Sequence, residues 1–260
     1  MATIVARMHR DGLTLAPLET IASPRIAEAR ERLIVALDFP SSATALDFAA
    51  SLEGTCQWFK VGLELYLAAG GIIVETLRNR GYSVFLDLKF HDIPNTVAAA
   101  VRSVGPLGAQ LLTIHASGGP AMLTAAGDAA ASLPNPPQLL AVTILTSMDQ
   151  SQLDAIGIPQ NPADQALRLA KMAYVAGIYG FVCSPEESAS LRATLPEATL
   201  VTPGIRPSGT AIGDQKRIAT PAAALAAGAS YLVVGRPITQ ARNPAEAAAA
   251  ILAEMSRALA

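Results

Sequence analysis

Several charged side chains stand inside otherwise apolar stretches of this sequence. Asp38 ends Val35-Ala36-Leu37-Asp38, Lys60 lies in Phe59-Lys60-Val61, and Asp87 and Lys89 share Phe85-Leu86-Asp87-Leu88-Lys89. A charge in apolar surroundings is costly to bury unless an opposite charge meets it. These charges are of both signs, so they can compensate one another if the fold gathers them. The strongest local signal is Asp87-Leu88-Lys89-Phe90-His91-Asp92-Ile93-Pro94. Side chains alternate along an extended chain, which puts Asp87 and Lys89 on one face and leaves Asp92 in the loop beyond. Flanking carboxylates keep a lysine protonated. A fixed ammonium of that kind can stabilise developing negative charge and then protonate it. The competing reading is a set of ion pairs that only stabilises one end of a sheet. Lys60 and Asp38, at equivalent strand ends, weigh against it.

A second pair of segments suits an oxyanion. Gly204-Ile205-Arg206 and Gly235-Arg236 combine glycine, which allows close backbone approach, with the planar fork of arginine. One Gly-Arg alone reads equally as a turn with a solvated arginine. Asp38, Asp87 and Asp92 could in principle take Mg2+, but Lys60 and Lys89 among them compete with a cation. The 3 histidines are scattered and make no metal site. His115 is expected to be structural, and His91 to point away from its acidic and basic neighbours. Cys56 and Cys183 are far apart and read as ordinary thiols. No metal and no cofactor is expected.

The elements that must carry these residues recur in order. Short apolar segments at Leu33–Phe39, Trp58–Val61, Ser83–Lys89, Leu111–His115, Leu139–Leu145, Gly180–Cys183, Leu200–Gly204 and Tyr231–Gly235 read as strands. Several are continuously apolar, as in parallel strands covered on both sides. Ala- and Leu-rich helices separate them, with start signals at Ser41-Ser42, Pro94, Asn161-Pro162 and Asn243-Pro244 and stops at Gly54 and Gly177. Such a succession of β-then-α units favours an α/β fold closed into a (β/α)8 TIM barrel. An open doubly wound sheet competes, but no Gly-x-Gly-x-x-Gly follows the first strand. In a barrel the charged strand ends all face one mouth, and the loops after strands 7 and 8, which hold Arg206 and Arg236, are a common phosphate site.

The chain has 260 residues, 51% hydrophobic and 15% charged, the size of a single such domain. Residues 1–30 read as an N-terminal extension, helical or partly disordered, with Ser23-Pro24 able to start a helix through Arg32. Residues 31–260 read as the barrel. A net charge of −2 and no basic run give no reason to expect nucleic acid. No apolar stretch reaches the ~18 residues of a spanning helix. Met1 to Arg10 lack the apolar core of a signal peptide. A cytoplasmic protein with no membrane partner is expected.

Asp87-Leu-Lys-Phe-His-Asp-Ile-Pro-Asn-Thr96 resembles the signature of the orotidine-5′-monophosphate decarboxylase family. Leu37-Asp38 and Phe59-Lys60-Val61-Gly62 resemble its first two strand motifs. The likeness continues through Thr146-Ser147, Gly204-Ile-Arg206-Pro207, Gly213-Asp-Gln215 and Val234-Gly-Arg236-Pro237, from Leu33 to about Ile238. The resemblance implies cofactor-independent decarboxylation of orotidine 5′-monophosphate to uridine 5′-monophosphate in de novo pyrimidine biosynthesis. It implies Lys89 as the proton donor to C6, Asp87 beside the leaving carboxylate, and a Lys60–Asp87–Lys89–Asp92 array. Asp92 and Thr96 would come from the other subunit of a homodimer with shared sites. Asp38 and Lys60 would hold the ribose hydroxyls and Thr96 the ribose. Thr146 and Ser147 would lie over the base. Gln215, Gly235 and Arg236 would bind phosphate, with Arg206 nearby.

Two other functions compete. A Mg2+-dependent sugar-phosphate decarboxylase or synthase of the same superfamily shares an Asp-x-Lys-x-x-Asp element, yet calls for an acidic metal ligand on strand 2, where Lys60 stands. A non-catalytic nucleotide-binding barrel has no need of Lys89 beside Asp87.

Overall fold

The computed structural model describes residues 24–207 and 217–259. Within them, strands β1 (Leu33–Ala36), β2 (Trp58–Gly62), β3 (Ser83–Phe90), β4 (Leu111–His115), β5 (Gln138–Val142), β6 (Gly180–Val182), β7 (Thr199–Thr202) and β8 (Tyr231–Val234) close into one barrel in sequence order. Each strand is parallel to both neighbours, and β8 returns to pair with β1. The helices are α1 (Pro24–Arg32), α2 (Ser42–Ser51), α3 (Leu63–Ala69), α4 (Ile72–Asn79), α5 (Pro94–Val104), α6 (Gly119–Ala131), α7 (Gln150–Ala155), α8 (Pro162–Val175), α9 (Pro185–Thr194), α10 (Pro221–Ala226), α11 (Arg236–Thr239) and α12 (Pro244–Ala258). None is long and apolar enough to cross a membrane.

The near-continuous apolar strands are explained by two separate cores. Leu33, Val35, Phe59, Val61, Leu86 and Leu112 face outward into the large layer between barrel and helices. Ile34, Ala36, Trp58, Phe85, Leu111, Leu140, Val201 and Val233 face inward and fill the barrel. Alternate residues therefore bury against different partners, and neither face can be polar except at the mouth. Trp58 and Tyr231 meet edge to face near the end of this inner layer, and Trp58 Nε1 donates to Glu31 of α1. The helix expected from Pro24 to Arg32 is present, with Ile26 and Ala29 buried.

The helix starts follow the local chemistry. The side chains of Ser41, Asn161 and Asn243 accept backbone N–H groups of the first turns of α2, α8 and α12. Pro94 occupies the first position of α5, where its missing N–H costs no helical hydrogen bond, as its start signal implied.

Strand ends differ from expectation. β1 stops at Ala36, β5 at Val142 and β7 at Thr202, short of the expected Phe39, Leu145 and Gly204. Past β5 and β7 the sequence stays apolar where Ile144, Leu145 and Pro203 line the cavity, and past β1 it does so where Leu37 and Phe39 pack into the outer layer. The chain has nevertheless left the ladder, apart from single bonds such as Leu37 N–H to Lys60 C=O at 2.9 Å. Asp38 therefore sits just beyond β1 and does not close it.

Candidate active site

The inward series of residues carries the apolar barrel filling up to the charged mouth. In β1 it runs Ile34, Ala36 and on to Asp38. In β2 it runs Trp58, Lys60, and in β3 Phe85, Asp87, Lys89. Asp38, Lys60, Asp87 and Lys89 line one cavity of about 520 Å³ together with Thr146, Ser147, Gly204, Arg206, Gly235 and Arg236. Val142, Ile144, Val182 and Val233 supply its apolar wall.

At its floor the charges alternate. Lys60 Nζ lies 3.0 Å from Asp38 Oδ1 and 3.6 Å from Asp87 Oδ2, and Lys89 Nζ lies 2.7 Å from Asp87 Oδ1. Gly62 leaves room beside this chain of charges, because a Cβ there would come within 2.8 Å of Lys60 Nζ and displace the ammonium. Asp87 is 8% exposed. Burial pushes its carboxyl pKa up, but the Lys60 and Lys89 ammoniums, with hydrogen bonds from Lys89 and Thr113, outweigh burial and hold it below the usual range. Burial likewise pulls Lys60 down, and Asp87 and Asp38 more than reverse that, leaving it above its ordinary value. Asp87 thus stays anionic and Lys60 cationic, which keeps the mouth strongly polarised in a partly enclosed space.

Lys89 is the one described non-glycine residue in the left-handed region, at φ 51°. The β3–β4 ladder shifts register between Leu86 and Phe90, so that Leu86 pairs with Leu112 but Phe90 with Ile114. Such irregularities re-aim side chains and sit beside active sites. The freed Lys89 N–H donates to Thr113 Oγ1 at 2.8 Å.

Across the cavity, Gly204 follows β7 at φ 82°, where a side chain would be strained. Arg206, 8% exposed, is fixed by its N–H to Ala219 C=O at 2.9 Å and by its guanidinium to Ile205 C=O at 2.8 Å. Gly235 precedes α11, so Arg236 opens a short helix at the end of β8. Arg217 binds these loops to the rest. It is buried, pairs with buried Glu187 of α9, and donates to Ser184 Oγ at 3.2 Å and Leu145 C=O at 3.0 Å. Leu145 immediately precedes Thr146-Ser147, so the Arg217–Glu187 pair tethers that segment.

Not every expected site residue joins the cavity. Asp92 and Thr96 are exposed and stand outside its lining, and the Asp92 carboxylate accepts the Ile93 N–H at 2.6 Å. Within one chain the alternating series is Asp38–Lys60–Asp87–Lys89. Gln215 lies outside the described residues. His91 is exposed and also lies outside the lining, its ring 5.3 Å from that of His115. Burial first, then His91 and Lys89, push the His115 pKa down to about 4 against a smaller opposing effect of Asp87. Among the described residues no group of three or more His, Cys, Asp or Glu is placed to hold a metal ion. Thr113, Arg217 and Glu187 escaped the sequence reading. Thr113 could have been found by following the inward series on β4 from Leu111 to His115. Arg217 and Glu187 carry no local signal of pairing, being far apart in the chain.

A family model described as orotidine 5′-phosphate decarboxylase / HUMPS matches residues 31–251. Over 228 residues the chain is 53% identical to the orotidine 5′-phosphate decarboxylase of Halorhodospira halophila, covering 87% of this chain and 97% of that protein. It is 50% identical over 224 residues to the protein of that name from Pseudomonas aeruginosa, covering 86% and 97%. The crystal structure of orotidine 5′-phosphate decarboxylase from Lactobacillus acidophilus superposes with a TM-score of 0.75 at 38% identity, covering 86% of this chain and 98% of that one.

Proposed function

This chain belongs to the orotidine 5′-phosphate decarboxylase / HUMPS family and is a carboxy-lyase, and we propose that it converts orotidine 5′-monophosphate to uridine 5′-monophosphate and CO2 in de novo pyrimidine biosynthesis, without metal or organic cofactor. The observation that carries this reading is Asp87 held between two ammonium groups, Lys60 at 3.6 Å and Lys89 at 2.7 Å, at the floor of a cavity whose far side offers Arg236.

The pyrimidine C6 carboxylate lies toward Asp87 and the nucleotide phosphate toward Gly235, Arg236 and Gln215, with Arg206 alongside. Asp38 and Lys60 hold ribose hydroxyls, and Thr146 and Ser147 lie over the base. When the bond from C6 to the carboxylate breaks, its electron pair stays on C6 and CO2 leaves. That vinylic carbanion has little delocalisation. The Lys89 ammonium stabilises it and transfers a proton to C6, and neutral Lys89 is then reprotonated from solvent. Asp87, in contact with both ammonium groups, sets the position of Lys60 and Lys89. Asp92 and Thr96, exposed in one chain, enter the neighbouring subunit's site in a homodimer, where Asp92 completes the array.

The Mg2+-dependent sugar-phosphate reaction of family relatives is disfavoured by Lys60, whose ammonium occupies the space between Asp38 and Asp87 that a cation would need. The deciding assay follows loss of orotidine monophosphate absorbance in excess EDTA. Full activity is expected. Activity that vanishes with chelator and returns with Mg2+ would reject the reading.

A further inference from the structure

We propose that Thr113 is the positioning residue of the site: its hydroxyl locks the Asp87 carboxylate to the left-handed backbone of Lys89 and so fixes where the Lys89 ammonium stands. The proposal rests on the decarboxylase reading for its kinetic consequence, though not for its structural one.

Thr113 is fully buried on β4. It belongs to that strand's inward series, level with Asp87, since Leu86 pairs with Leu112. Its Oγ1 is 2.8 Å from the Lys89 nitrogen and 3.0 Å from Asp87 Oδ1. The direction of both bonds is forced. A backbone N–H can only donate, so the hydroxyl oxygen accepts from Lys89, and its single hydrogen is left for Asp87. Asp87 Oδ1 then receives both this hydrogen and the Lys89 ammonium at 2.7 Å.

The same contact solves a backbone problem. A parallel ladder would supply a carbonyl for the Lys89 N–H, but the register shift between Leu86 and Phe90 removes it. A buried N–H without an acceptor costs about 1–3 kcal/mol. A non-glycine residue at positive φ is strained by a similar amount and persists only where its surroundings enforce it. The Thr113 hydroxyl supplies the missing acceptor. It thereby ties the carboxylate beside the scissile bond to the backbone of the proton donor two residues later. A β-branched residue suits the task, because its χ1 is stiff. Serine can make both bonds but holds them less firmly, and valine has the shape without the oxygen.

The test compares Thr113→Val and Thr113→Ser by steady-state kinetics and by crystal structure. In Thr113→Val, kcat for orotidine monophosphate should fall roughly 10- to 100-fold, because small misplacements of reacting groups cost that much. KM and the affinity for uridine monophosphate should stay within about threefold, since Thr113 is buried behind Asp87 and does not line the cavity. Thr113→Ser should recover most of kcat. A merely structural residue would not separate kcat from KM in this way, nor be rescued by a hydroxyl alone. Thr113→Val with kcat within about twofold of wild type would overturn the proposal. If Thr113→Val does not fold, Thr113→Ala against Thr113→Ser makes the same comparison. If the wild-type protein does not turn over orotidine monophosphate, the decarboxylase reading fails, and the crystal structures judge Thr113 by themselves. The Val or Ala variant should then show Lys89 leaving the left-handed region or Asp87 rotating away from it. An unchanged Asp87–Lys89 arrangement would overturn the proposal on structural grounds.

Discussion

Lys89 Nζ and Asp87 Oδ1 are 2.7 Å apart, while the Lys89 backbone bends to φ 51° at the point where β3 slips against β4. Two side chains of one strand face are thus drawn into contact at the barrel mouth. If this ammonium is the proton donor, Lys89→Ala removes both the stabilising charge and the proton. Its kcat should drop by on the order of 1,000-fold or more, as loss of a general acid and a fixed charge together would cause. Uridine monophosphate should still bind, measured by calorimetry. Near-normal turnover would remove Lys89 from the mechanism.

Arg236 tests the opposite side of the cavity. Arg236→Ala should raise KM for the nucleotide by roughly 10- to 150-fold, the equivalent of about 1.5–3 kcal/mol for a charge-assisted phosphate contact. Some loss of kcat is expected as well, because binding energy remote from the reacting carbon can lower the chemical barrier. An unchanged KM would place the phosphate elsewhere.

Asp92 is exposed and outside the cavity of its own chain. If it serves the neighbouring subunit, mixing inactive Lys89→Ala and Asp92→Ala proteins under subunit exchange should restore activity. A heterodimer then has one site with both defects and one site with neither. Random exchange makes about half the dimers mixed, so roughly a quarter of wild-type activity should return. No recovery, with exchange demonstrated by native mass spectrometry, would mean that Asp92 does not act across an interface.

The buried Arg217–Glu187 pair should matter to stability more than to chemistry. Glu187→Gln removes the carboxylate in direct contact with the buried Arg217 guanidinium, leaving the neighbouring Glu186 to offset it, and breaking a buried pair typically costs about 3–5 kcal/mol. Chemical denaturation should register that loss. A change below about 1 kcal/mol would show that the pair is screened by water.

His115 gives a pH signature. Its folded pKa lies near 4, below the ordinary 6.5. The unfolded chain therefore binds the proton first, so this group's contribution to stability is fully present above 6.5 and is lost as pH falls toward 4. Asp87, also lowered in the fold, keeps its contribution until the pH drops below the ordinary 3.8. Thermal melts of His115→Gln should show a flatter decline across the histidine window, and NMR titration of the imidazole should give a midpoint near 4. A midpoint at 6.5 would contradict the buried environment.

Much of this protein was legible without coordinates. The run of eight apolar segments separated by capped helices specifies a parallel sheet covered on both faces, because each strand must bury both, and eight β-then-α units favour its closure into the barrel observed. Alternation then places Asp38, Lys60, Asp87 and Lys89 on the inward face, and a charge ending an apolar strand belongs at the mouth. These are local properties, carried by residue type and by a period of about two. The tertiary structure decided what depends on neighbours distant in sequence. It ended β1 before Asp38, because the ladder stops there whatever the hydropathy. It put Lys89 in a left-handed conformation, because β4 offers a threonine hydroxyl where a carbonyl would have been. It joined Arg217 to Glu187 and Leu145, and it left Asp92 exposed outside its own cavity while Lys60, Asp87 and Lys89 closed on one another. A sequence pattern states which side chains cannot remain unpaired; only the register between strands determines which partner each one finds.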